Sequence, residues 1–247
     1  MKTDKDELER AITNYLEREN EKRDQSYWDV KEDVYHVTDA TKCLRRAYYK
    51  RTIDKDPDGD SLRNFKLGHL YESLIEDVFK DRFENIGNSE RIKATVEDED
   101  YGQFKLVGET DIVQYDRVSL NNSVMVTAET GDIINIWEIK STKNLYYQKS
   151  EPSDYHPEQL NLYLGLLRLG KGHIVYIDKR DLSVAVHELE FDKELFKESV
   201  ERIKELRRHI KKDEEPDADP KNWECGICSY QDECDYYTEI KKGDEDG

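Results

Sequence analysis

Positive charge is scarce in this chain: 39 Lys and Arg stand against 57 Asp and Glu, for a formal net charge of −18. That balance excludes general electrostatic adhesion to nucleic acid or anionic membranes, so any approach to phosphate must use local basic patches or metal ions. Apolar residues are also few, at 36% against 39% charged, which implies a heavily charged surface. No apolar run reaches the ~18 residues that mark a membrane helix. The almost entirely polar start, Met1 to Arg10, has no signal-peptide pattern. A soluble, cytoplasmic protein is expected. There is no Walker motif and no internal repeat. Cysteine is limited to four residues, and in a long chain of this kind they suit metal ligation better than disulfides. With 247 residues the chain can bury a sizeable core, as one large domain or a core with a small appendage.

The chain divides by pattern. Residues 3–23 read as a charged surface helix with a narrow stripe at Leu8, Ile12 and Leu16. Residues 36–50 open with Thr38 or Asp39 as an N-cap. The acidic loop 54–60 has calcium-loop spacing in part, but no Glu closes it and an ordinary turn is expected. A long helix over 62–84 carries Leu67, Leu70, Tyr71, Leu74, Ile75 and Val78. Strands are predicted at 104–118, 123–129 and 132–141, with turns at Asn121-Asn122 and Thr130-Gly131-Asp132. A leucine-rich helix follows over 157–169, opened by Pro157 and stopped by Gly170. Strands at 172–178 and 183–191 and a charged helix at 192–212 complete the core. Residues 213–220 hold five acids, no base and two prolines, a linker composition. This order predicts an α/β protein, a mixed sheet flanked by helices. The domains expected are a charged lead-in at 1–35, a core at 36–212, a linker and cysteine segment at 213–237, and a disordered tail at 238–247.

Chemistry concentrates in Ile136-Trp137-Glu138-Ile139-Lys140-Ser141. In a strand, residues two apart share a face, so Glu138 and Lys140 point one way and Trp137 and Ile139 the other. Upstream, Gly108-Glu109-Thr110-Asp111 supplies a second acidic strand position. Two carboxylates on neighbouring strands can hold a hard divalent cation, and a lysine beside them can orient or deprotonate water and offset charge on a phosphate. Glu109 shares a face with Asp111 and could stand in for it. His69 falls off the apolar stripe of its helix, which makes it a candidate third ligand rather than a core histidine. Gln159 and Tyr163 lie at i, i+4 on the next helix and interrupt its leucines on one face.

Gly68-His69, Gly108-x-x-Asp111, Glu138-x-Lys140 and Gln159-x-x-x-Tyr163, in that order, resemble the RecB-like branch of the PD-(D/E)XK nucleases. Cys43 before this core and Cys225-x2-Cys228-x5-Cys234 after it make the chain similar to the CRISPR-associated iron–sulfur exonucleases of the adaptation module, the "Cas four" type. Val37-Thr38-Asp39 through Cys43-Leu44-Arg45-Arg46-Ala47-Tyr48-Tyr49 resembles that family's start. Leu44 departs from the family's usual proline, and Thr110 from the proline of the superfamily name. Neither position is a ligand.

The resemblance implies a restriction-endonuclease-like fold in which His69, Asp111, Glu138 and the Ile139 carbonyl bind Mn2+ or Mg2+. Lys140 would position water, with Gln159 and Tyr163 supporting it or the DNA strand. The implied activity is exonucleolytic phosphodiester hydrolysis of single-stranded DNA or single-stranded ends, on prespacers and beside the CRISPR integrase complex. A RecB-like repair or replication nuclease, with any motor on a separate protein, is the alternative; an idle DNA-binding scaffold is a second. For Cys43, Cys225, Cys228 and Cys234, zinc competes with a 4Fe–4S cluster, but four-cysteine zinc sites come as two knuckles. One distant single ligand suits a cluster with one bond per iron, clamping the chain ends together. Basic residues interleaved with aromatics at Lys42, Arg45, Arg46, Tyr48, Tyr49, Lys50 and Arg51, and again at Lys140, Lys143, Tyr146, Tyr147 and Lys149, suit single-stranded DNA.

Overall fold

Strand β6 (Ile133–Thr142) shows why the sheet must be covered on both faces. Its odd face, Trp137 and Ile139, and its even face, Ile136, Glu138 and Lys140, are both removed from solvent to differing degrees. A strand clad on two sides belongs at the middle of an α/β sheet. The computed structural model describes residues 5–22, 32–53, 55–116, 133–153 and 155–245. The strand expected over 123–129 and its flanking turns lie outside the described residues.

The five-stranded sheet runs β2 (Ile86–Gly87), β5 (Ile112–Tyr115), β6, β7 (Lys171–Asp178), β8 (Val184–Glu190). Among the described strands of this sheet only β6 and β7 pair in parallel, with Glu138 opposite Ile174 and Lys140 opposite Tyr176. Their crossover is helix α4 (Tyr155–Leu167), as a parallel pair requires. A second sheet of three strands places β4 (Gly102–Glu109) between β1 (Val34–His36) and β3 (Arg91–Asp98). The mixed α/β class expected from the sequence is what forms.

Two cores fill the two faces. One gathers Ile136, Leu160, Leu164, Ile174, Ile203 and Leu206 from β6, α4, β7 and α5 (Lys193–Lys212). The other joins Ile112, Ile139, Val175 and Ile177 to Ile75 of α3 (Gly59–Arg82), with Tyr71 and Phe79 alongside. α3 thus buries its Tyr71–Ile75–Phe79 ridge, whereas Leu67, Leu70, Leu74 and Val78, expected to share that stripe, are exposed. The helix α1 (Lys5–Lys22) lies against α3 and buries only Leu16 of its stripe.

Several boundaries differ for local reasons. Asp58 caps α3 by accepting from Ser61 N at 2.7 Å, so the acidic stretch runs from residue 59 directly into the helix. α4 begins two residues before Pro157, which its first turn tolerates. It ends not at Gly170 but at Arg168, which takes φ +59° while Leu169 N–H closes on the Leu164 carbonyl at 2.9 Å. Arg207 on α5, 1% exposed, donates to Asp33, Asp98 and the carbonyls of Tyr101 and Gly102, fixing α5 to the β3–β4 turn.

The chain ends meet. Helix α2 (Leu44–Thr52) has Cys43 at its N-cap with no side-chain cap of its own. Its orphan donors are instead met from the far end of the chain, Cys43 N by Glu224 Oε1 at 2.9 Å and Leu44 N by Asp219 Oδ1 at 2.7 Å. The acidic 213–220 stretch is therefore docked rather than free. Arg45 also donates to the Pro216 carbonyl at 2.8 Å and pairs with Glu215 and Asp235. Asp39, expected as a helix cap, accepts from His36 N and binds Lys50 and Arg51. Helix α6 (Asp235–Glu245) runs through most of the 238–247 tail that composition marks as disordered.

Candidate active site and cysteine cavity

Asp111 stands at the break between β4 and β5, and its Oδ2 accepts the Ile139 backbone N–H at 2.6 Å. A strand residue's N–H and C=O lie on one edge, and Ile112 pairs with Trp137 as the last rung of β5 on β6. The Ile139 carbonyl therefore emerges on the Asp111 side, beyond the ladder.

Glu138 is 1% exposed. Its Oε2 accepts from Lys140 Nζ and from Gln159 Nε2, each at 3.1 Å. Its Oε1 is fully buried and has no hydrogen-bond partner among the described residues. A carboxylate oxygen left so in a protein interior is costly, and such oxygens mark positions where an absent ion or water belongs.

Burial and the Glu138 charge together push the Asp111 carboxyl well above the ordinary range, and burial raises Glu138 as well. Burial alone would lower Lys140, but the Glu138 and Asp111 carboxylates outweigh it and hold the ammonium above its ordinary range. Two buried acids, both raised by burial and Asp111 also by the Glu138 charge, beside one lysine are the electrostatics of a cation site.

Glu72 is the residue the sequence reading missed. Its charge on α3 reaches Asp111, Glu138 and Lys140 alike. His69, one turn earlier, is half-exposed and holds Glu72 Oε2 through Nδ1 at 3.0 Å. His69 thus stands at the rim and touches the site through Glu72. The His69-x-x-Glu72 spacing, which puts both on one helix face, was the available signal.

Glu109 turns away from the pair to Arg91, at 3.7 Å. Gln159 holds Glu138. Tyr163, 2% exposed, donates to the Glu109 carbonyl at 3.0 Å instead of reaching Lys140. Its ring fills the space over Gly108, where a Cβ would come within 2.5 Å of Cε1. Glycine is needed there for close approach.

The four cysteines line one small cavity, of about 20 Å3, with Arg45, Tyr49 and Tyr230. Burial, and then the neighbouring Cys43, Cys228 and Cys234, raise the Cys225 thiol. The Tyr230 N–H points at Cys228 Sγ, at 3.5 Å. An all-thiol donor set around a cavity suits a soft metal group in chemical type. Among the described residues no three His, Cys, Asp or Glu side chains converge on one single-ion point.

The first basic patch is not the open DNA surface its sequence suggests. Tyr48 and Tyr49 are buried, and Arg45, Arg46, Lys50 and Arg51 are all paired with acids. In the second patch, Tyr146 and Tyr147 are open to solvent, rings 5.6 Å apart.

A mixed sheet with acids on adjacent strands, a lysine two residues on and a helix across the parallel pair defines a nuclease of the restriction-endonuclease-like class. The PD-(D/E)XK nuclease superfamily model matches residues 98–235, more than half of the chain, and the protein belongs to that superfamily. Members of this superfamily generally use divalent metals. Two solved structures share the fold. The protein crystallised as SSO0001 aligns with a TM-score of 0.63 at 20% identity, over 92% of this chain and 96% of that one. An alkaline exonuclease (LHK-Exo) from Laribacter hongkongensis aligns with a TM-score of 0.50 at 11% identity, over 76% and 95%. Among curated proteins none matches significantly. No helix among the described residues is long and apolar enough to cross a membrane.

Proposed function

We propose that the protein is a divalent-metal-dependent exonuclease acting on single-stranded DNA or single-stranded ends. The observation that carries this is the unpartnered, buried Oε1 of Glu138 beside the raised Asp111 carboxyl. Asp111, Glu138 and the Ile139 carbonyl would hold Mn2+ or Mg2+, with His69 at the rim completing the set or steering Glu72. When bound, the ion supplies activation of water and neutralisation of charge at the phosphate. Lys140, charged and hydrogen-bonded to Glu138, would orient the attacking water and offset the charge that builds on the phosphate. Gln159 and Tyr163 are positioning residues: Gln159 fixes Glu138, and Tyr163 fixes the strand end that carries Asp111.

DNA as substrate is supported by the superfamily and by the exonuclease named among the structural neighbours. The exposed Tyr146–Tyr147 pair between Lys143 and Lys149 favours unpaired bases, through stacking joined to phosphate contact. Cys43, Cys225, Cys228 and Cys234 would carry a 4Fe–4S cluster that locks the 213–237 segment to the 36–212 core. Its role would be prespacer end processing during CRISPR adaptation, alongside the integrase, in the cytoplasm, a reading supported by the order of motifs and cysteines.

The test uses anaerobically purified protein, assayed for iron and for cutting of end-labelled single and double strands with Mn2+, Mg2+ or EDTA. Iron-containing brown protein that degrades single strands from an end, only with metal, is expected. Colourless zinc protein would overturn the cluster assignment, and failure to cut under every metal would overturn the activity.

A further inference from the structure

Resting on the nuclease reading, we infer that Trp223, Tyr155, Lys42 and Lys221 form a nucleotide-binding notch beside the catalytic pocket, in which the base of an unpaired nucleotide stacks on Trp223 and its phosphate meets Lys42. Trp223 and Tyr155 lie with ring centroids 5.0 Å apart. Lys42 Nζ sits 4.2 Å over the Tyr155 ring and 5.5 Å from that of Trp223, and Lys221 Nζ lies 5.7 Å from Tyr155. Trp223 leaves 37% of its surface open, a large share for a tryptophan already packed on one neighbour.

Lys42 is the exception in its basic segment. Among the described residues no carboxylate forms an ion pair with it, whereas Arg45, Arg46, Lys50 and Arg51 all have one. Burial lowers the Lys42 ammonium to about 8 against the opposing Glu224 charge, so below that pH it presents a positive charge, resting on ring faces, to an anion. The notch is next to the chemistry: the fields of Lys140, Lys42 and Lys221 all reach the buried His156, and that of Lys140 reaches Tyr155. Lys42 and Lys221 line a cleft of about 710 Å3, in which Lys221 pairs with Glu158 at 2.9 Å and Glu198, Glu201 and Glu205 of α5 form part of the lining. Aromatic faces tolerate every base, which gives a site for unpaired DNA without sequence preference.

Trp223 directly precedes Glu224, the residue that caps α2 from the opposite chain end. The cysteine segment would therefore contribute a substrate contact as well as a clamp.

The experiment measures binding of a short labelled oligothymidylate to full-length protein by anisotropy, over a salt series without added divalent ion, with cleavage in Mn2+ assayed in parallel. Trp223→Ala is expected to weaken binding about tenfold with the salt slope unmoved, and Trp223→Phe to recover most of the loss. Lys42→Gln is expected to lower the slope of log affinity against log salt by about 0.7, the signature of one lost phosphate contact on a single strand. Wild-type affinity and slope in both Trp223→Phe and Lys42→Gln, with Trp223→Ala also unimpaired or unfolded, would overturn the notch while wild-type cutting left the nuclease reading standing. A wild type that neither binds nor cuts would remove both.

Discussion

Glu224 and Cys43 are joined across most of the chain: the buried Glu224 carboxylate accepts the Cys43 backbone N–H at 2.9 Å. Cys43 has no side-chain cap to offer its own helix, so Glu224 acts as the cap in trans. Losing a cap costs about 1–2 kcal/mol, and at this chain length each kcal/mol moves Tm by roughly 2–4 °C. Glu224→Ala should lower Tm by several degrees in a thermal melt. Glu224→Gln, which keeps an acceptor oxygen, should lower it by less.

The same contact prepares the cysteine site. With the helix start held against the C-terminal segment, all four thiols face one cavity. Metal binding to such a site is folding free energy. Cys43→Ser should therefore lose iron and lower Tm more than Glu224→Ala does, measured by iron analysis and melting under anaerobic conditions. Full iron with unchanged Tm would remove Cys43 from the ligand set.

Gly108 and Tyr163 make a tighter pair than any spacing rule reveals. A methyl group at 108 would sit 2.5 Å from Tyr163 Cε1, so ring or strand must shift. Overpacking of this kind costs about 1–3 kcal/mol. Gly108→Ala should lower Tm and, by moving the strand that ends at Asp111, depress cleavage. Adding Tyr163→Phe, which keeps the ring, should not restore it, whereas Tyr163→Leu should recover part of the stability.

The raised carboxyls give a pH dependence of known sign. A carboxyl whose folded pKa is raised favours the folded state while protonated. That contribution is whole below the ordinary carboxylate range and disappears as pH rises through the raised one. Metal-free protein should thus lose stability as pH rises through the raised range of the Asp111–Glu138 pair, and divalent metal should return it. Asp111→Asn should flatten this slope and raise the neutral-pH Tm of the metal-free protein while abolishing cleavage. Cleavage by wild type should rise with pH over the same window.

Strand parity made the heart of the site legible: Glu138 and Lys140 had to share a face, and the preceding acidic strand offered only Glu109 or Asp111. What periodicity could not decide was settled by long-range partners. Arg45 and Arg46 read as DNA-facing because Glu215, Asp235 and Glu224 are far away in sequence. Leu70, Leu74 and Val78 read as core because a broad apolar stripe on α3 does not say which edge meets the sheet. The strand β3 was missed, since only Ile92 and Val96 interrupt its charged and polar residues with sizeable apolar side chains. Glu72 was passed over as one more acid in an acidic chain.

The most direct measurement compares wild type, Glu138→Gln and Lys140→Ala for cleavage of a labelled single strand in Mn2+, beside binding of the same strand without metal. Glu138→Gln keeps the size of the buried side chain and can still pair with Gln159, while it removes the charge that would hold the ion. Loss of cleavage by at least about a hundredfold in each variant, with fold, iron content and DNA binding retained, is the expected result. Binding survives because other Lys and Arg residues carry the phosphate contacts. Wild-type cleavage rates in both variants would contradict the assignment of this site.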